Sequence, residues 1–358
     1  MTFTKEHTNV AKGIAIILMF IHHLFSDYYL YEAYNVIFWP LSAQNVVNIA
    51  ICGKVCVAIF VFLSAYGITR KYMSYQELNI TDYSRISWKR LVSILTSFWV
   101  IYVLSFIVTF FLDRRPINTY GLNPAGIMQA IIDFLGMSNY LGTASLNATW
   151  WYVSFSITII VIMPFIYKGC KKFRWLFVAA IILCEKALQA SDDLILIWYG
   201  VALLLGTMCA YDNLFEKFKT NKAQMKSPAS YYFTKCSKFI ILSAAICLLY
   251  YIRNTLGLYG LVDGFGSMLI VFMSYEFLAD IKWISVVLQS LGKHSFTMYL
   301  IHRFIYLDYA RDFIYSCRYG FLIVIVLLAV CWLISVIIEY IKKICRFQKV
   351  VDQLTSLV

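Results

Sequence analysis

Charged residues are scarce in this chain of 358 residues: Asp, Glu, Lys and Arg make up 14% of it, whereas 61% is hydrophobic. Soluble domains carry about 25% charged and about 45–50% apolar residues. The composition therefore excludes an ordinary soluble protein and predicts one that lies in a lipid bilayer. Apolar stretches long enough to cross a bilayer recur along the chain, so we expect one integral membrane domain rather than two soluble ones.

Several motifs that would indicate other classes of protein are missing. The ten cysteines are scattered through apolar segments with no C-x-x-C pair, so neither a zinc site nor a disulfide framework is expected. Cys52 and Cys56 would share a helix face, where packing between helices explains them. No small-residue cleavage site follows the first apolar segment, which we expect to be an uncleaved helix. No internal repeat of the kind found in many secondary transporters is visible.

Ten segments of the sequence approach the length of about 20 apolar residues that a spanning helix needs. The predicted fold class is therefore an all-α integral membrane protein with about ten transmembrane helices. The fifth segment is the weakest, because Glu185 and Lys186 interrupt it. In order, the segments are 10–30, 46–69, 88–112, 149–167, 175–190, 194–211, 238–256, 261–279, 291–309 and 320–341.

The net charge of +12 comes from Lys and Arg clustered in short loops between apolar segments. No basic face belongs to a soluble fold, so we expect no nucleic-acid partner. Polytopic membrane proteins collect Lys and Arg in cytoplasmic loops, and this bias, like the even number of segments, predicts that both termini are cytoplasmic. Residues 113–148 then form the longest outward loop, able to cap or line a site. The Lys-rich residues 212–237 are expected to be a solvated connector near anionic lipid.

The first segment carries two ionisable residues, and such residues inside a membrane span are expensive and therefore candidates for function. Lys12 and His23 are eleven residues apart. That is about three turns plus 20°, so they share one helix face, with His23 about 16 Å deeper than Lys12. A histidine suits the role of general base because it titrates near neutral pH. His22 points away from the shared face, although either histidine can instead bond a neighbouring helix.

The ninth segment repeats this pattern with a hydroxyl and an imidazole. Ser295 and His302 are seven residues apart. They project from one helix face, about 10 Å from each other along the axis. The pair can orient a substrate or stabilise an oxyanion. Alternatively, His302 beside Arg303 is an interfacial anchor where the helix leaves the membrane.

Basic and aromatic residues at the predicted helix ends each have two interpretations. Arg70 and Lys71 follow the second segment, and Arg90 lies at the start of the third. These cations can hold a phosphate or reach lipid headgroups. The fourth segment opens on an aromatic run, Trp150, Trp151 and Tyr152. The run forms an interfacial aromatic belt or stacks against a sugar.

Together these motifs resemble the acyltransferase-3 family of membrane acyltransferases. The resemblance rests on Lys12 with ten residues to His23, FLSAYG before Arg70, the Trp-Trp-Tyr run, and the pattern LG..SF..YLIH at 291–302. It covers the first to ninth segments. Members are bacterial ten-helix proteins, also found in eukaryotes, that typically move an acyl group, often acetyl, from acyl-CoA to a surface glycan. The resemblance therefore implies an O-acetyltransferase in a bacterial cytoplasmic membrane.

The resemblance also implies roles for individual residues. His23 would be the general base, and Ser295 with His302 would match the family's serine and histidine. The family's usual Arg-x-x-Arg motif is incomplete here, because the third residue after Arg90 is serine. The implied catalytic residues are His23, Ser295 and His302; the donor-binding residues are Lys12, Arg70, Lys71 and Arg90; the substrate-binding residues are Trp150, Trp151 and Tyr152.

The implied donor is acetyl-CoA or another acyl-CoA, with membrane lipid and a glycan acceptor as partners. Residues 1–345 would form the membrane domain and 346–358 a short cytoplasmic tail. Some relatives carry an additional soluble domain after the membrane part, which is not expected here. The enzyme would then complete the transfer itself or pass the acyl group to a separate partner.

Two other functions fit the residues without the resemblance. A proton-coupled transporter or exporter of a lipid or sugar intermediate would use His23 and His302 as a proton relay. A non-catalytic assembly or sensor protein would use the histidines only to fasten helices together.

Overall fold

A computed structural model describes residues 2–75, 77–187, 195–225 and 227–356 of the chain, without the side chains of 185–187. Within these residues the regular structure is helical and there is no β-strand, which confirms the all-α integral membrane fold. The α-helices are α1 (Lys5–Phe25), α2 (Ala43–Cys52), α3 (Val55–Met73), α4 (Ile80–Asp113), α5 (Arg115–Tyr120), α6 (Pro124–Phe134), α7 (Ser138–Leu141), α8 (Trp151–Phe173), α9 (Trp175–Ala187), α10 (Ile195–Tyr211), α11 (Leu214–Phe218), α12 (Pro228–Leu256), α13 (Tyr259–Met273), α14 (Lys282–Arg303), α15 (Arg311–Tyr315), α16 (Gly320–Ile344) and α17 (Phe347–Thr355).

Short helical turns of other types extend or connect these helices. Two π-helical turns, Ser274–Leu278 and Phe304–Tyr309, follow α13 and α14 without a break. The 3-10 turns are Tyr28–Leu30, Glu32–Tyr34, Ala148–Trp150 and Lys222–Gln224.

Seven helical stretches of the described residues are long and apolar enough to cross a membrane. They are Lys5–Phe25, Ala43–Met73, Ile80–Asp113, Ala148–Phe173, Pro228–Leu256, Tyr259–Leu278 and Gly320–Ile344. Trp175–Cys184 and Ile195–Tyr211 are apolar but shorter. Each of the ten predicted segments overlaps at least one helix, and residues 188–190 and 194 fall outside the described residues. The number of helices that span stays a prediction.

The region expected to be the longest outward loop is instead largely helical. It contains α5, α6 and α7. Asn123 caps α6, its side chain accepting a hydrogen bond from the backbone N–H of Gly126, and Pro124 occupies the first turn. These are ordinary start signals of a helix. α6, at 11 residues, is too short for the length criterion of a spanning helix, so the region stays outside the candidate spans although it contains helices.

Other boundaries also differ from the prediction. α1 ends at Phe25 rather than at residue 30, and α4 begins eight residues earlier than expected, at Ile80. Arg90 therefore lies ten residues into α4 instead of at its start. The expected tail contains α17, and the indole N–H of Trp88 donates to the carbonyl of Leu354 at 2.9 Å.

The chain divides into two compact units. The first comprises Met1–Gln76 and Met163–Ser295, and the second comprises Glu77–Ile162 and Phe296–Val358. α8 and α14 each begin in one unit and end in the other. Lys12, His23, Arg70, Lys71 and Ser295 belong to the first unit, and Arg90, the Trp-Trp-Tyr run and His302 belong to the second.

In the first unit α1 and α14 touch backbone to backbone. A Cβ atom added at Gly292 would lie 1.9 Å from the carbonyl oxygen of Asn9, and one added at Gly13 would lie 2.2 Å from that of Leu288. Such distances are far inside van der Waals contact, so only glycine permits this approach. The contact fixes α1, which carries Lys12 and His23, against the helix that carries Ser295.

Replacing Gly292 with alanine is expected to destabilise the protein, because the new methyl group must push α1 and α14 apart. Overpacking of this kind costs about 1–3 kcal/mol. Gly200→Ala is the matched control, since a Cβ there meets no atom within 4 Å. Thermal unfolding in lipid nanodiscs measures both. Equal midpoints for Gly292→Ala and the wild type would contradict the close helix contact.

The second unit has an aromatic core with a buried carboxylate. The ring of Trp150 packs edge-on against Phe98 at 5.0 Å. Asp133 is buried and accepts hydrogen bonds from the hydroxyl of Tyr120 at 2.6 Å and the backbone N–H of Leu146 at 2.8 Å. Burial, and then the neighbouring carboxylate, raise the pKa of Tyr120. Asp133 thereby ties α5, α6 and the residues before α8 together.

Candidate active site

The two ionisable residues predicted on the first helix lie on one unbroken helix, α1. Because α1 has no interruption between Lys12 and His23, their spacing places both on one face, about 16 Å apart along the axis. Both side chains are half-buried. The arrangement puts a cation toward the start of the helix and an imidazole near its end.

His22 and His23 are neighbours on α1, but the structure gives them different surroundings. The Nδ1 of His22 lies 2.8 Å from the carbonyl oxygen of Ala50, so His22 bonds α1 to α2. A Cβ at Gly53 would lie 2.6 Å from the carbonyl oxygen of Leu18, which shows how closely the start of α3 approaches α1. The rings of His22 and His23 are 5.2 Å apart at 62°. Fastening of helices is therefore the role of His22 in this structure.

Arg70 and Lys71, the expected phosphate ligands, lie at the end of α3 in different surroundings. The guanidinium of Arg70 donates to the side-chain oxygen of Asn213 at 2.5 Å and lies 3.9 Å from the carboxylate of Glu216. Lys71 is exposed, with its Nζ 5.3 Å from the centre of the Tyr75 ring. Arg70 is thus oriented by α11 and the residue before it, whereas Lys71 is accessible to a ligand.

The Lys-rich residues 212–237 are not simply a solvated connector, because two of their lysines converge on one carboxylate. The Nζ atoms of Lys219 and Lys235 lie 2.8 Å and 2.9 Å from the two carboxylate oxygens of Asp280. Nearby, the backbone N–H of Thr220 donates to the fully buried Glu276 at 3.1 Å. The connector is therefore bonded to the segment that follows α13.

A pH dependence follows from Asp280. Partial burial opposes its ionisation, but hydrogen bonds from Lys219 and Lys235 outweigh burial and lower the pKa of Asp280. A lowered folded-state pKa contributes stability above the unfolded value of about 3.9, and that stability is lost as the pH falls through the folded value. We expect Asp280→Asn to lower the unfolding midpoint at pH 7, with the deficit shrinking below about pH 4.

The control for this pH series is Asp27→Asn, because Asp27 is exposed and its side chain caps no backbone group. Unfolding midpoints across the series are compared between the two variants and the wild type. A deficit of Asp280→Asn that stays constant with pH would contradict the role assigned to the ionised carboxylate.

Ser295 and His302 both lie on α14 and both are buried. The hydroxyl of Ser295 donates to the carbonyl oxygen of Gly292 at 2.8 Å, so it must rotate before it can donate to a substrate. His302 is fully buried, its Nδ1 lies 2.6 Å from the carbonyl oxygen of Tyr299, and its ring stacks on Tyr306 at 5.7 Å. Complete burial speaks against the interfacial anchor that was the alternative for His302.

The three aromatic residues at the start of the fourth segment have different surroundings. Trp150 is buried, and its indole N–H donates to the carbonyl of Leu300 at 2.9 Å, which fastens the 3-10 turn before α8 to α14. Trp151 and Tyr152 are half-buried, and the ring of Tyr152 lies 5.8 Å from that of Tyr299. Only Trp151 and Tyr152 therefore have surface with which to contact a substrate as the structure stands.

The comparison with protein families decides between the functions that the sequence left open. The model of the acyltransferase-3 family, described as an acyltransferase domain, matches residues 8–339. The chain belongs to the acyltransferase-3 family. Searches of curated proteins and of solved structures returned no match. The protein is therefore a multi-pass membrane enzyme that transfers acyl groups other than aminoacyl groups, rather than a transporter or a non-catalytic assembly protein.

The acyltransferase also contains a buried ion pair that sequence reasoning missed. The Nε of Arg253 on α12 lies 2.9 Å from a carboxylate oxygen of Asp263 on α13. The signal was present, because Asp263 is an acidic residue inside the apolar segment 261–279 and such residues are expensive in a membrane. Across the described ranges of the acyltransferase, no group of three or more His, Cys, Asp or Glu side chains is arranged to hold a metal ion.

Proposed function

We propose that this acyltransferase moves an acetyl group, or another acyl group, from cytoplasmic acyl-CoA to a hydroxyl of a cell-surface glycan or its lipid-linked precursor. Its place would be the cytoplasmic membrane of a bacterium. The observation that carries the proposal is the single face of α1 that presents Lys12 and His23, within a chain that belongs to this family. A cation and a titratable base about 16 Å apart match a donor whose phosphates and thioester are far apart.

The donor would bind at the end of the first unit that carries the lysines and Arg70. By the positive-inside rule that end faces the cytoplasm, where acyl-CoA is found. Lys12 and Lys71 would contact phosphate oxygens as point charges, and Arg70 would do so through its fork of donors. The pantetheine arm would then extend along α1 toward His23.

The transfer step needs one base and no metal. The acceptor oxygen would attack the thioester carbon, so that a C–O bond forms and the C–S bond breaks. His23 would take the proton of the attacking hydroxyl and return it to the CoA thiolate, which leaves the imidazole neutral again. Ser295, which belongs to the same unit as His23, is proposed to orient the acceptor or stabilise the developing oxyanion. His302, Trp151 and Tyr152 belong to the second unit and keep the roles that the resemblance implies. This direct route uses no separate acyl-accepting partner.

The experiment that tests the proposal measures free thiol released from acetyl-CoA by the purified protein in lipid nanodiscs, together with a binding titration of acetyl-CoA. We expect saturable binding, and thiol release that rises when a glycan acceptor is supplied. Binding without turnover would point to a missing acceptor or partner protein. No binding of any acyl-CoA would contradict the proposed donor.

A further inference from the structure

A group of charged and aromatic side chains gathers in the first unit, where α10, α12 and α13 meet the break between α2 and α3. Arg253 and Asp263, the buried ion pair, expose only 4% and 2% of their surfaces. The Nζ of Lys54 lies 4.1 Å from the centre of the Trp198 ring. That ring stacks on Tyr259 at 5.7 Å and 20°. The guanidinium of Arg253 also lies 4.9 Å from the Tyr259 ring. We call these five residues the Arg253 cluster.

Two glycines hold the aromatic side of this cluster in place. A Cβ at Gly260 would lie 2.9 Å from the carbonyl oxygen of Trp198, and one at Gly264 would lie 2.6 Å from Cγ1 of Val201. α13 therefore runs close against α10. This approach fixes the Trp198 ring beside Tyr259, so the cluster is supported by helix packing rather than by exposed loops.

The Arg253 cluster lies beside the His23 end of α1. His22 is close enough to interact electrostatically with Lys54, Arg253 and Asp263. A Cβ at Gly53 would lie 3.2 Å from Cβ of His22, so the residue before Lys54 contacts α1 directly. The cluster is thus near the base assigned to the transfer step.

Three polar atoms of the cluster have no hydrogen-bond partner among the described residues: Nη1 of Arg253, Oδ2 of Asp263 and Nε1 of Trp198. Buried polar groups are nearly always bonded, and an unbonded one costs about 1–3 kcal/mol. Two of these atoms are donors and one is an acceptor. A ligand that satisfies all three must itself both donate and accept hydrogen bonds.

Hydroxyl groups meet this requirement, whereas simple anions do not. A hydroxyl accepts from Arg253 or Trp198 and donates to Asp263, but the dianion of a phosphate monoester or a carboxylate only accepts. A sugar ring combines several hydroxyls with an apolar face, and Tyr259, which exposes 38% of its surface beside the Trp198 ring, is an aromatic neighbour for that face.

We infer that the Arg253 cluster binds an uncharged, polyhydroxylated group, a sugar ring of the acceptor. The inference rests on the proposed function, in which the acceptor is a glycan. It adds the position of the sugar, at the His23 end of α1, and excludes a phosphate or an acidic sugar carboxylate as the group that this cluster holds. Lys54 would supply a further donor at the half-buried rim.

The test is saturation-transfer NMR on the protein in nanodiscs, without acyl-CoA, with the methyl glycosides of glucose, galactose and N-acetylglucosamine as uncharged probes and methyl phosphate as the anionic probe. We expect at least one glycoside to bind. Trp198→Phe keeps an aromatic ring at this position but removes the indole N–H. It should weaken binding about three- to tenfold, the effect of one hydrogen bond. Trp283→Phe is the matched control, because Trp283 lies on α14 with 72% of its surface exposed.

Each outcome of this test is decisive for the inference. Glycoside binding that Trp198→Phe weakens and Trp283→Phe does not supports it, provided that both variants unfold at the wild-type midpoint. Binding of methyl phosphate in preference to every glycoside would overturn it in favour of an anion site, and so would a wild type that binds no glycoside. Because no acyl-CoA is present, thiol release in the separate assay can fail while the sugar site is confirmed, and the reverse also holds.

Discussion

Replacing His23 with alanine is expected to lower the rate of thiol release from acetyl-CoA by about 10²–10⁴-fold, the range over which a positioned general base contributes. His23 is the histidine on the face of α1 that also carries Lys12. Histidine is the side chain whose ordinary pKa lies near neutral pH, so it suits the role of base. Binding of acetyl-CoA should change little, because the phosphates are assigned to residues about 16 Å away. The measurement is initial-rate thiol release in nanodiscs, with the acetyl-CoA affinity determined on the same sample.

The matched control is His22→Ala, one position away on the same helix. His22 bonds the carbonyl of Ala50, so its loss should lower the unfolding midpoint, since one hydrogen bond contributes about 0.5–1.5 kcal/mol. The folded fraction of that variant should retain turnover. The two variants thus separate chemistry from helix fastening. If both lose turnover only in proportion to their loss of folded protein, His23 is not the base.

Asp263→Ala is expected to have the largest effect on stability. The substitution leaves the guanidinium of Arg253 buried without its carboxylate, and breaking a buried ion pair from one side costs about 3–5 kcal/mol. Replacing both partners, as Arg253→Met with Asp263→Leu, should restore much of the stability, because an apolar pair leaves no charge in a low-dielectric interior. Unfolding midpoints in nanodiscs of one lipid composition measure the single and double variants.

A surface pair provides the comparison for this effect. Glu339 and Lys342 form an ion pair at 2.8 Å on α16, with the glutamate exposed. Exposed pairs contribute about 0–1 kcal/mol, so Glu339→Ala should leave the midpoint nearly unchanged. A double variant at 253 and 263 as unstable as Asp263→Ala alone would contradict the view that the unpaired charge is the cause.

The helices were predictable from the sequence where a long apolar run marks them. Apolar runs near 20 residues located a helix at each of the ten predicted segments, apart from the few positions outside the described residues. The criterion did not detect α6, which has only 11 residues and includes Gln129 and Asp133. It also missed that α12 begins at Pro228, ten residues before the apolar segment. Helix starts set by capping residues lie outside an apolar run, so hydropathy does not detect them.

The candidate site was predictable only in part. The spacing of Lys12 and His23 determined that they share a face, since that depends on helix geometry alone. The ion pair of Arg253 and Asp263 depends on the turn after α12, where Gly257 adopts φ +65° and reverses the chain into α13. The sequence does not show that Arg253 and Asp263 pair, because they lie on different helices.

By itself, then, the sequence determined the membrane class, the helical fold, the family and the common face of Lys12 and His23. These follow from composition, from periodicity along one helix, and from motifs in a fixed order. The tertiary structure alone decided which polar side chains find partners. His22 bonds the carbonyl of Ala50 on α2, and Arg253 on α12 pairs with Asp263 on α13. Such partners are chosen by how helices pack, and packing depends on close approaches at single glycines that no local pattern of residues reveals.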